Sequence, residues 1–268
     1  MSAVDQLFQK LRAEGRKALM PFITAGDPDL AFTQDLIREL IGRGCHLCEV
    51  GIPYSDPIAD GPVIQASYTR ALAKKVKLAQ ILETLRATTG QITAPLVTMV
   101  SYAIIYRHGL ERYVAEAKAS GVAGAIVPDL LVDEAEALAK ICRREDFSLI
   151  QLVTPTTPRE RALRIAESST GFLYYVSVTG ITGERTELPA DLTDNVAWLR
   201  ERSPLPICIG FGISQPEHVR LLRTVADGLI VGSALVRRVA DADAHPRAAV
   251  LRSIGDYAAT LLEALNAP

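Results

Sequence analysis

Carboxylates with contrasting surroundings lie close together in the stretch Glu49–Pro62, which also holds three prolines and two glycines. Glu49 falls inside an apolar run, where an ionised side chain is costly unless it has partners or a task. Asp60 precedes Gly61 and Pro62, which predict the start of a helix. Two carboxyl groups in different environments acquire different pKa values, so they can divide acid and base work at one pocket. For Asp56, between them, a solvated turn is an equally good interpretation.

Glycine-rich segments farther along the chain form a second group of candidates. Gly210-Phe-Gly-Ile-Ser214 and Gly232-Ser233 each follow an apolar run. Small residues allow backbone N–H groups to converge on an anion such as phosphate. Glycines also end strands for steric reasons alone, so one such loop is a weak signal. Two of them in succession favour a phosphate site.

The cysteines and histidines do not predict a metal site. Cys45 and Cys48 have CxxC spacing, but on a strand they would point to opposite faces, and a second ligand pair is missing. We therefore interpret them as small apolar core residues. The four histidines lie far apart in the sequence. The expected chemistry uses carboxylates and no metal.

Strand and helix patterns alternate along the whole chain, and these elements must position the candidates. Apolar runs predict eight strands, at 18–24, 47–51, 95–100, 124–127, 149–153, 172–178, 207–210 and 229–231. Helical patterns separate them, and one over 4–14 predicts a helix before the first strand. Eight uninterrupted repeats favour a closed (β/α)8 TIM barrel, with residues 1–268 as a single domain, over an open doubly wound sheet.

In such a barrel the loops at the carboxyl ends of the strands form the active site. Glu49 falls near the end of the second strand and Asp60 in the loop after it, whereas the glycine loops follow the last two strands, where barrels often bind phosphate. The long polar loop 178–189 follows the sixth strand and is typical of a lid or a binding loop. The residues alone predict an enzyme acting on a phosphorylated small molecule.

Composition narrows the class of protein. The net charge is −2 with both signs interspersed, so no basic face indicates nucleic acid or an anionic membrane. No apolar run approaches the roughly 20 residues that cross a bilayer. The N-terminal segment lacks the pattern of a secretory signal, and the cytoplasm is the expected location.

Six motifs accompany the stretch Glu49–Gln65 along the chain. They are Pro21–Pro28, Val127–Asp129, Thr154–Pro158, Thr179–Gly183, Gly210–Ser214 and Val231–Ala234. Together these motifs resemble those of the tryptophan synthase α chain family, over essentially the full length. The resemblance implies a lyase of tryptophan biosynthesis that cleaves indole-3-glycerol phosphate to indole and glyceraldehyde 3-phosphate, in a retro-aldol reaction without a cofactor.

The resemblance also implies roles for individual residues. Glu49 matches the general acid/base that protonates the indole C3, and Asp60 matches the residue that holds the indole N–H and stabilises positive charge there. Tyr174 matches a tyrosine facing Glu49, whereas Tyr175 points the other way by strand alternation. The remaining matches are Phe22, Val100 and Thr182 for the indole pocket, and Gly183, Gly212, Gly232 and Ser233 for the phosphate site, with Phe211 beside it.

A partner is implied as well. The family works in an α2β2 heterotetramer with a β chain, which uses pyridoxal phosphate to condense indole with serine, so this cofactor is expected only on the partner. Asp56 matches a partner contact. Ile104 stands where the family usually has asparagine in Tyr-x-Asn, and an apolar residue there is compatible with an apolar surface on the β chain.

Three alternatives remain open at the level of sequence. The chain could be a free-standing indole-releasing lyase, which intrinsic turnover would distinguish from a subunit that depends on its partner. It could be a catalytically silent binding subunit, although intact Glu49 and Asp60 argue against this. Another phosphate-binding barrel, such as a sugar-phosphate isomerase, leaves the Glu49–Pro62 stretch unexplained.

Overall fold

A parallel sheet organises the chain in a computed structural model that describes residues 1–57, 60–177, 190–210 and 212–267. The strands are β1 Ala18–Thr24, β2 Cys48–Gly51, β3 Leu96–Met99, β4 Val122–Ile126, β5 Ser148–Ile150, β6 Leu152–Val153, β7 Leu173–Val176, β8 Ile207–Gly210 and β9 Gly228–Val231. They follow the order β5-β4-β3-β2-β1-β9-β8-β7-β6. Since β5 and β6 are consecutive in the chain and separated only by Gln151, the sheet closes on itself. The predicted TIM barrel is confirmed, with its fifth strand divided into β5 and β6.

Helices cover the outside of this sheet. They are α1 Ala3–Ala13, α2 Leu30–Gly42, α3 Pro62–Ala73, α4 Leu78–Thr89, α5 Tyr102–His108, α6 Leu110–Ala119, α7 Glu136–Arg144, α8 Arg159–Ser168, α9 Ala190–Arg202, α10 Pro216–Leu222, α11 Ser233–Val239 and α12 Arg247–Asn266. Within the described part of the chain, none of these helices is both long enough and apolar enough to cross a membrane.

Alternation along each strand divides the buried side chains into two clusters. On β1, Met20 and Phe22 belong to an inner cluster, whereas Leu19 and Ile23 belong to the outer cluster that the helices cover. On the other strands, successive side chains alternate between the two clusters in the same way. The inner cluster fills the barrel, and a side chain assigned to it faces the interior.

Helix α1 covers the amino-terminal end of the barrel, as the additional N-terminal pattern predicts. Ser2 caps the helix by accepting a hydrogen bond from the Asp5 N–H. Val4, Phe8 and Leu11 join the inner cluster. The ring of Phe8 lies 5.6 Å from that of Phe172, the residue just before β7. With this end covered, a ligand must enter from the carboxyl ends of the strands.

One helix was not expected from the sequence. The pattern predicts a helix over 109–120, whereas the structure has α5 before α6, with Gly109 at φ 94° between them. Asp129 supports the start of α5, because it accepts hydrogen bonds from the Ser101 hydroxyl at 2.6 Å and from the Tyr102 N–H at 2.7 Å. Ser101 is itself the N-cap, since its hydroxyl accepts a hydrogen bond from the Ala103 N–H at 3.2 Å, whereas the support from Asp129 comes from a distant residue and leaves no local pattern.

Candidate active site

Glu49 lies in the barrel interior on β2. Its neighbours Cys48 and Val50 belong to the outer cluster, so Glu49 points inward, and it is in register with Phe22 on β1. The side chain is 0% exposed, and neither carboxylate oxygen has a hydrogen-bond partner among the described residues. Burial raises the pKa of Glu49 well above its usual range. Burial thus favours the protonated form of this carboxyl group, which can donate a proton.

Asp60 lies at the mouth of the barrel, at the end of the loop that leaves β2. Gln65 of α3 fixes this part of the loop by donating a hydrogen bond to the Asp60 carbonyl at 2.8 Å, and the Asp60 N–H donates to the Pro57 carbonyl at 3.0 Å. The side chain is half-buried, and burial raises the pKa of Asp60 to about 6. Asp60 is thus ionised above that pH, whereas burial favours the neutral form of Glu49.

Tyr174 faces the same interior from β7. It belongs to the inner cluster, and its neighbour Tyr175 to the outer one, which confirms the orientations expected from strand alternation. Its hydroxyl fits against the bare backbone of Gly210, where a Cβ atom would lie only 2.2 Å away. Burial, followed by the negative charges that Glu49 and Asp60 carry when they are ionised, raises the pKa of Tyr174 well above its usual range. Its hydroxyl remains a hydrogen-bond donor.

A cavity of about 1120 Å³ opens at the carboxyl ends of the strands. Its inner wall is mostly apolar and consists of Phe22, Asp60, Ile64, Met99, Tyr174 and Ile230. Gly212, Gly232 and Ser233 line another part of the same cavity. The candidate catalytic residues Asp60 and Tyr174, the indole-pocket candidate Phe22 and three phosphate-site candidates therefore share one space, with Glu49 buried beside Phe22.

The glycine end of this cavity suits an anion. Gly232 lies close to Phe22, whose Cβ atom would be 3.6 Å from a Cβ at position 232. It precedes α11, and the first N–H groups of a helix have no partner within it. Gly212 has φ of 77°, a conformation that glycine adopts readily. These backbone N–H groups can bind the phosphate of a ligand whose apolar part lies against Phe22.

The structure does not bring every candidate to the cavity. Val100 is buried in the outer cluster and is absent from the cavity wall. Thr182, Gly183 and Phe211 lie outside the described residues, as does the whole loop 178–189. Asp56 is exposed on the loop that precedes Asp60, and it accepts a hydrogen bond from the Ser55 hydroxyl at 2.6 Å.

Several residues at the site were missed at the level of sequence. Ile64, Met99 and Ile230 complete the apolar wall. Alternation on β3 and β9 could have identified Met99 and Ile230 as inward-facing, whereas Ile64 needs the position of α3. Tyr68 is also buried there, and its hydroxyl, which lacks a partner within the described structure, would lie 2.8 Å from a Cβ at Gly51. Only the packing of α3 on β2 reveals this contact.

Among the described ranges, no group of three or more histidine, cysteine, aspartate or glutamate side chains is arranged to hold a metal ion. Cys45, Cys48, Cys142 and Cys208 are all buried as free thiols. Cys45 and Cys48 belong to the outer apolar cluster, which agrees with their interpretation as core residues.

Comparisons with known proteins agree on one family. The family model described as "Tryptophan synthase alpha chain" matches residues 8–263. A tryptophan synthase alpha chain from Rhodopirellula baltica is 57% identical over 277 residues, which cover all of both chains. The crystal structure of tryptophan synthase subunit alpha from Legionella pneumophila has a TM-score of 0.90 and 32% identity, over 99% of each chain. A structure of the tryptophan synthase a2b2 complex from Pyrococcus furiosus has a TM-score of 0.85 and 38% identity, over 92% of this chain and 98% of that one.

Proposed function

This chain belongs to the tryptophan synthase alpha chain family, and on that premise we propose that Glu49, Asp60 and Tyr174 carry out its reaction. The reaction is cleavage of indole-3-glycerol phosphate to indole and glyceraldehyde 3-phosphate. The observation that supports the proposal best is the pair of carboxyl groups. Glu49 is buried in the barrel interior without a hydrogen-bond partner among the described residues, and Asp60 lies half-buried on the wall of the cavity at the barrel mouth. The two environments favour a neutral Glu49 and, above about pH 6, an ionised Asp60.

The reaction begins with proton transfer to the indole ring. Neutral Glu49 donates its proton to C3, and the ring becomes an indolenine with positive charge at N1. Ionised Asp60 accepts a hydrogen bond from the N1–H and stabilises that charge. The inner wall, with Phe22 and Tyr174, holds the ring in place and excludes water.

Bond cleavage follows from this intermediate. The Glu49 carboxylate accepts the proton of the hydroxyl group on the carbon attached to C3. The oxygen then forms the aldehyde carbonyl, the bond between the two carbons breaks, and its electron pair returns to the ring to restore indole. Glu49 is protonated again at the end, so every proton and electron pair is accounted for without a redox step. We propose that pyridoxal phosphate is needed only by the partner.

The phosphate group anchors the substrate at the other part of the cavity. We propose that the backbone N–H groups of Gly212, Gly232 and Ser233 bind it, together with Gly183, which the sequence assigns to the same site. Binding energy from a group that does not react can hold the indole in the geometry that proton transfer requires. Val100, Thr182 and Phe211 remain proposals from the family resemblance for the surroundings of the substrate.

As an alpha chain, this protein passes indole to a tryptophan synthase beta chain. We propose that the partner binds near the carboxyl ends of the strands, where Asp56 is exposed. Tyr106 and Leu131 are 69% and 56% exposed, which is unusual for large apolar side chains. Ile104 is half-buried and packs against the outer cluster, so it supports this surface from beneath. We further propose that residues 1–268 act as a single domain in the cytoplasm.

The experiment that tests the function measures indole release from indole-3-glycerol phosphate, first by the purified chain and then with a beta chain and serine. We expect slow release alone and a large increase with the partner. Fast release that the partner does not change would instead indicate a free-standing lyase. No release under either condition would contradict the proposed reaction.

Substitution tests the role of Glu49 directly. Glu49→Gln keeps the size of the side chain but removes the proton, so we expect turnover to fall at least about a hundredfold while substrate binding persists. Glu263→Gln is the matched control, because Glu263 is exposed on α12. Turnover by Glu49→Gln at the rate of this control would rule out the assigned role.

A further inference from the structure

Two adjacent arginines of α11, Arg237 and Arg238, line the cavity, and they differ in their contacts. The Arg238 guanidinium carbon lies 3.6 Å from the centre of the Tyr257 ring, and its Nη1 donates to the Ala234 carbonyl at 2.6 Å. Arg237 is exposed and makes no hydrogen bond or ion pair with the described residues. Arg238 is therefore engaged in packing, whereas the guanidinium group of Arg237 is available to a ligand.

Helix geometry directs Arg237 toward the glycine end of the cavity. It follows Ser233 by four residues, so the two side chains lie on the same face of α11, roughly 6 Å apart at their Cβ atoms. Side chains on a helix lean toward its amino-terminal end. From this position the guanidinium group of Arg237 can reach back toward Ser233 and Gly232, which line the same cavity.

None of the other charged or titratable side chains on the described cavity wall can serve in place of Arg237 as a free cation for an anionic ligand. His218 accepts a hydrogen bond at Nδ1 from the Ser214 N–H at 3.3 Å, which holds its ring against the loop after β8. Asp241 follows Arg237 by four residues, but no ion pair joins them in the described structure. Asp60 lies on the inner wall with the apolar residues. Of the cationic side chains on this wall, Arg237 alone has no partner among the described residues.

Resting on the proposed function, we propose that Arg237 binds the phosphate group of the substrate. Gly212, Gly232 and Ser233 offer backbone dipoles and a hydroxyl group, but no charge to match a phosphate dianion. Arginine adds that charge and a fork of donors that fits phosphate oxygens. Because Gly212, Gly232 and Ser233 still position the phosphate when this one contact is lost, the loss should act on substrate affinity and leave the chemical step unchanged.

The test compares ligands with and without phosphate in the full-length chain. For Arg237→Gln, we expect KM for indole-3-glycerol phosphate and the inhibition constants of glycerol 3-phosphate and inorganic phosphate to rise about tenfold. The kcat value and KM for indole in the reverse reaction should stay near wild type. Arg237→Lys keeps the charge and loses the fork of donors. Its KM for indole-3-glycerol phosphate and its inhibition constants should lie between those of wild type and Arg237→Gln.

Arg252→Gln is the matched control, because Arg252 is exposed on α12 and lies off the cavity wall, and it removes the same charge. Wild-type constants for phosphate ligands in Arg237→Gln would overturn the inference. Equal increases of these constants in Arg237→Gln and Arg252→Gln would also overturn it, because the effect would then follow net charge. An equal increase in KM for indole in Arg237→Gln would overturn it as well, because indole carries no phosphate. A wild-type chain that releases no indole would contradict the proposed function, whereas direct binding of glycerol 3-phosphate to wild type, Arg237→Gln and Arg252→Gln, measured by calorimetry, would still test the inference about Arg237.

Discussion

Asp60 is expected to destabilise the ligand-free protein at the pH where it works. Burial raises its pKa from 3.8 to about 6, so the folded chain favours the protonated carboxyl group more than the unfolded chain does. At pH values below the pKa of Asp60 in the unfolded chain, the full stabilising contribution to the folded state is present. As pH rises from about 4 through about 6, the folded chain must give up a proton that it retains more strongly, and this stabilisation is lost.

The magnitude follows from the two pKa values. A difference of about two between folded and unfolded states corresponds to about 3 kcal/mol. Asp60 is only partly buried, so solvent screening reduces the effect, and we expect about 1–3 kcal/mol. Asp60→Asn removes the charge at nearly constant size. The variant should therefore be more stable than wild type by this amount at pH 8, and by about a third of it at pH 4.5.

The assay is equilibrium urea unfolding followed by circular dichroism at pH 4.5 and pH 8, with indole release measured on the same samples. Asp60→Asn should combine higher stability with loss of lyase activity, because the group proposed to stabilise the indolenine has become neutral. Asp56→Asn is the control from the same loop. Since Asp56 is exposed, its substitution should change the free energy of unfolding by less than about 0.5 kcal/mol.

Two results would refute this reasoning. Asp60→Asn could prove no more stable than wild type at pH 8, which would mean that burial does not disfavour the charge. A gain of the same size at both pH values would also refute it, because the effect would then come from packing or hydrogen bonding and not from ionisation.

Two further predictions concern the elements around the site. At Gly51, a Cβ atom would lie 2.6 Å from Phe22 Cζ. Gly51→Ala should therefore lower the free energy of unfolding by about 1–3 kcal/mol and raise KM for the substrate. Gly42→Ala is the control, because the space around Gly42 is open, and it should not lower the free energy of unfolding in the same urea titration. Asp27 is 2% exposed and accepts hydrogen bonds from Arg70 at 2.6 and 2.8 Å, so Arg70→Met should cost about 3–5 kcal/mol. Adding Asp27→Asn to that variant should recover part of the lost stability. If the two substitutions instead changed the free energy of unfolding additively, the ion pair would not be the cause.

Most of the barrel could be predicted because its signals are local. Strands of a parallel sheet with both faces buried read as apolar runs, and glycine or proline marks where they end. The exceptions depend on residues distant in the sequence. Asp129 accepts a hydrogen bond at the start of α5, and Gln151, where the fifth strand is interrupted, donates a hydrogen bond to the distant Ser168 at 2.6 Å. Neither effect leaves a periodic pattern in the segment that it changes.

The site could be predicted in part for a related reason. Glu49 is conspicuous because a charge inside an apolar run is unusual, and Asp60 because of the glycine and proline that follow it. Tyr68 and Arg237 carry no such signal. A tyrosine or an arginine on a helix is ordinary, and its importance appears only when the packing shows an unpartnered hydroxyl or guanidinium group beside the cavity.

The acid strength of Glu49 depends on what its surroundings lack. A hydrogen-bond donor beside its carboxyl group would stabilise the carboxylate and lower its pKa toward the usual range. The barrel instead places Phe22 beside it in register, and both oxygens lack partners among the described residues. Gly51 and Gly210 leave room for the Tyr68 and Tyr174 rings within the same layer. In the proposed mechanism the site therefore favours a neutral proton donor by leaving a buried polar group unsatisfied, at a cost in stability that the rest of the closed sheet offsets.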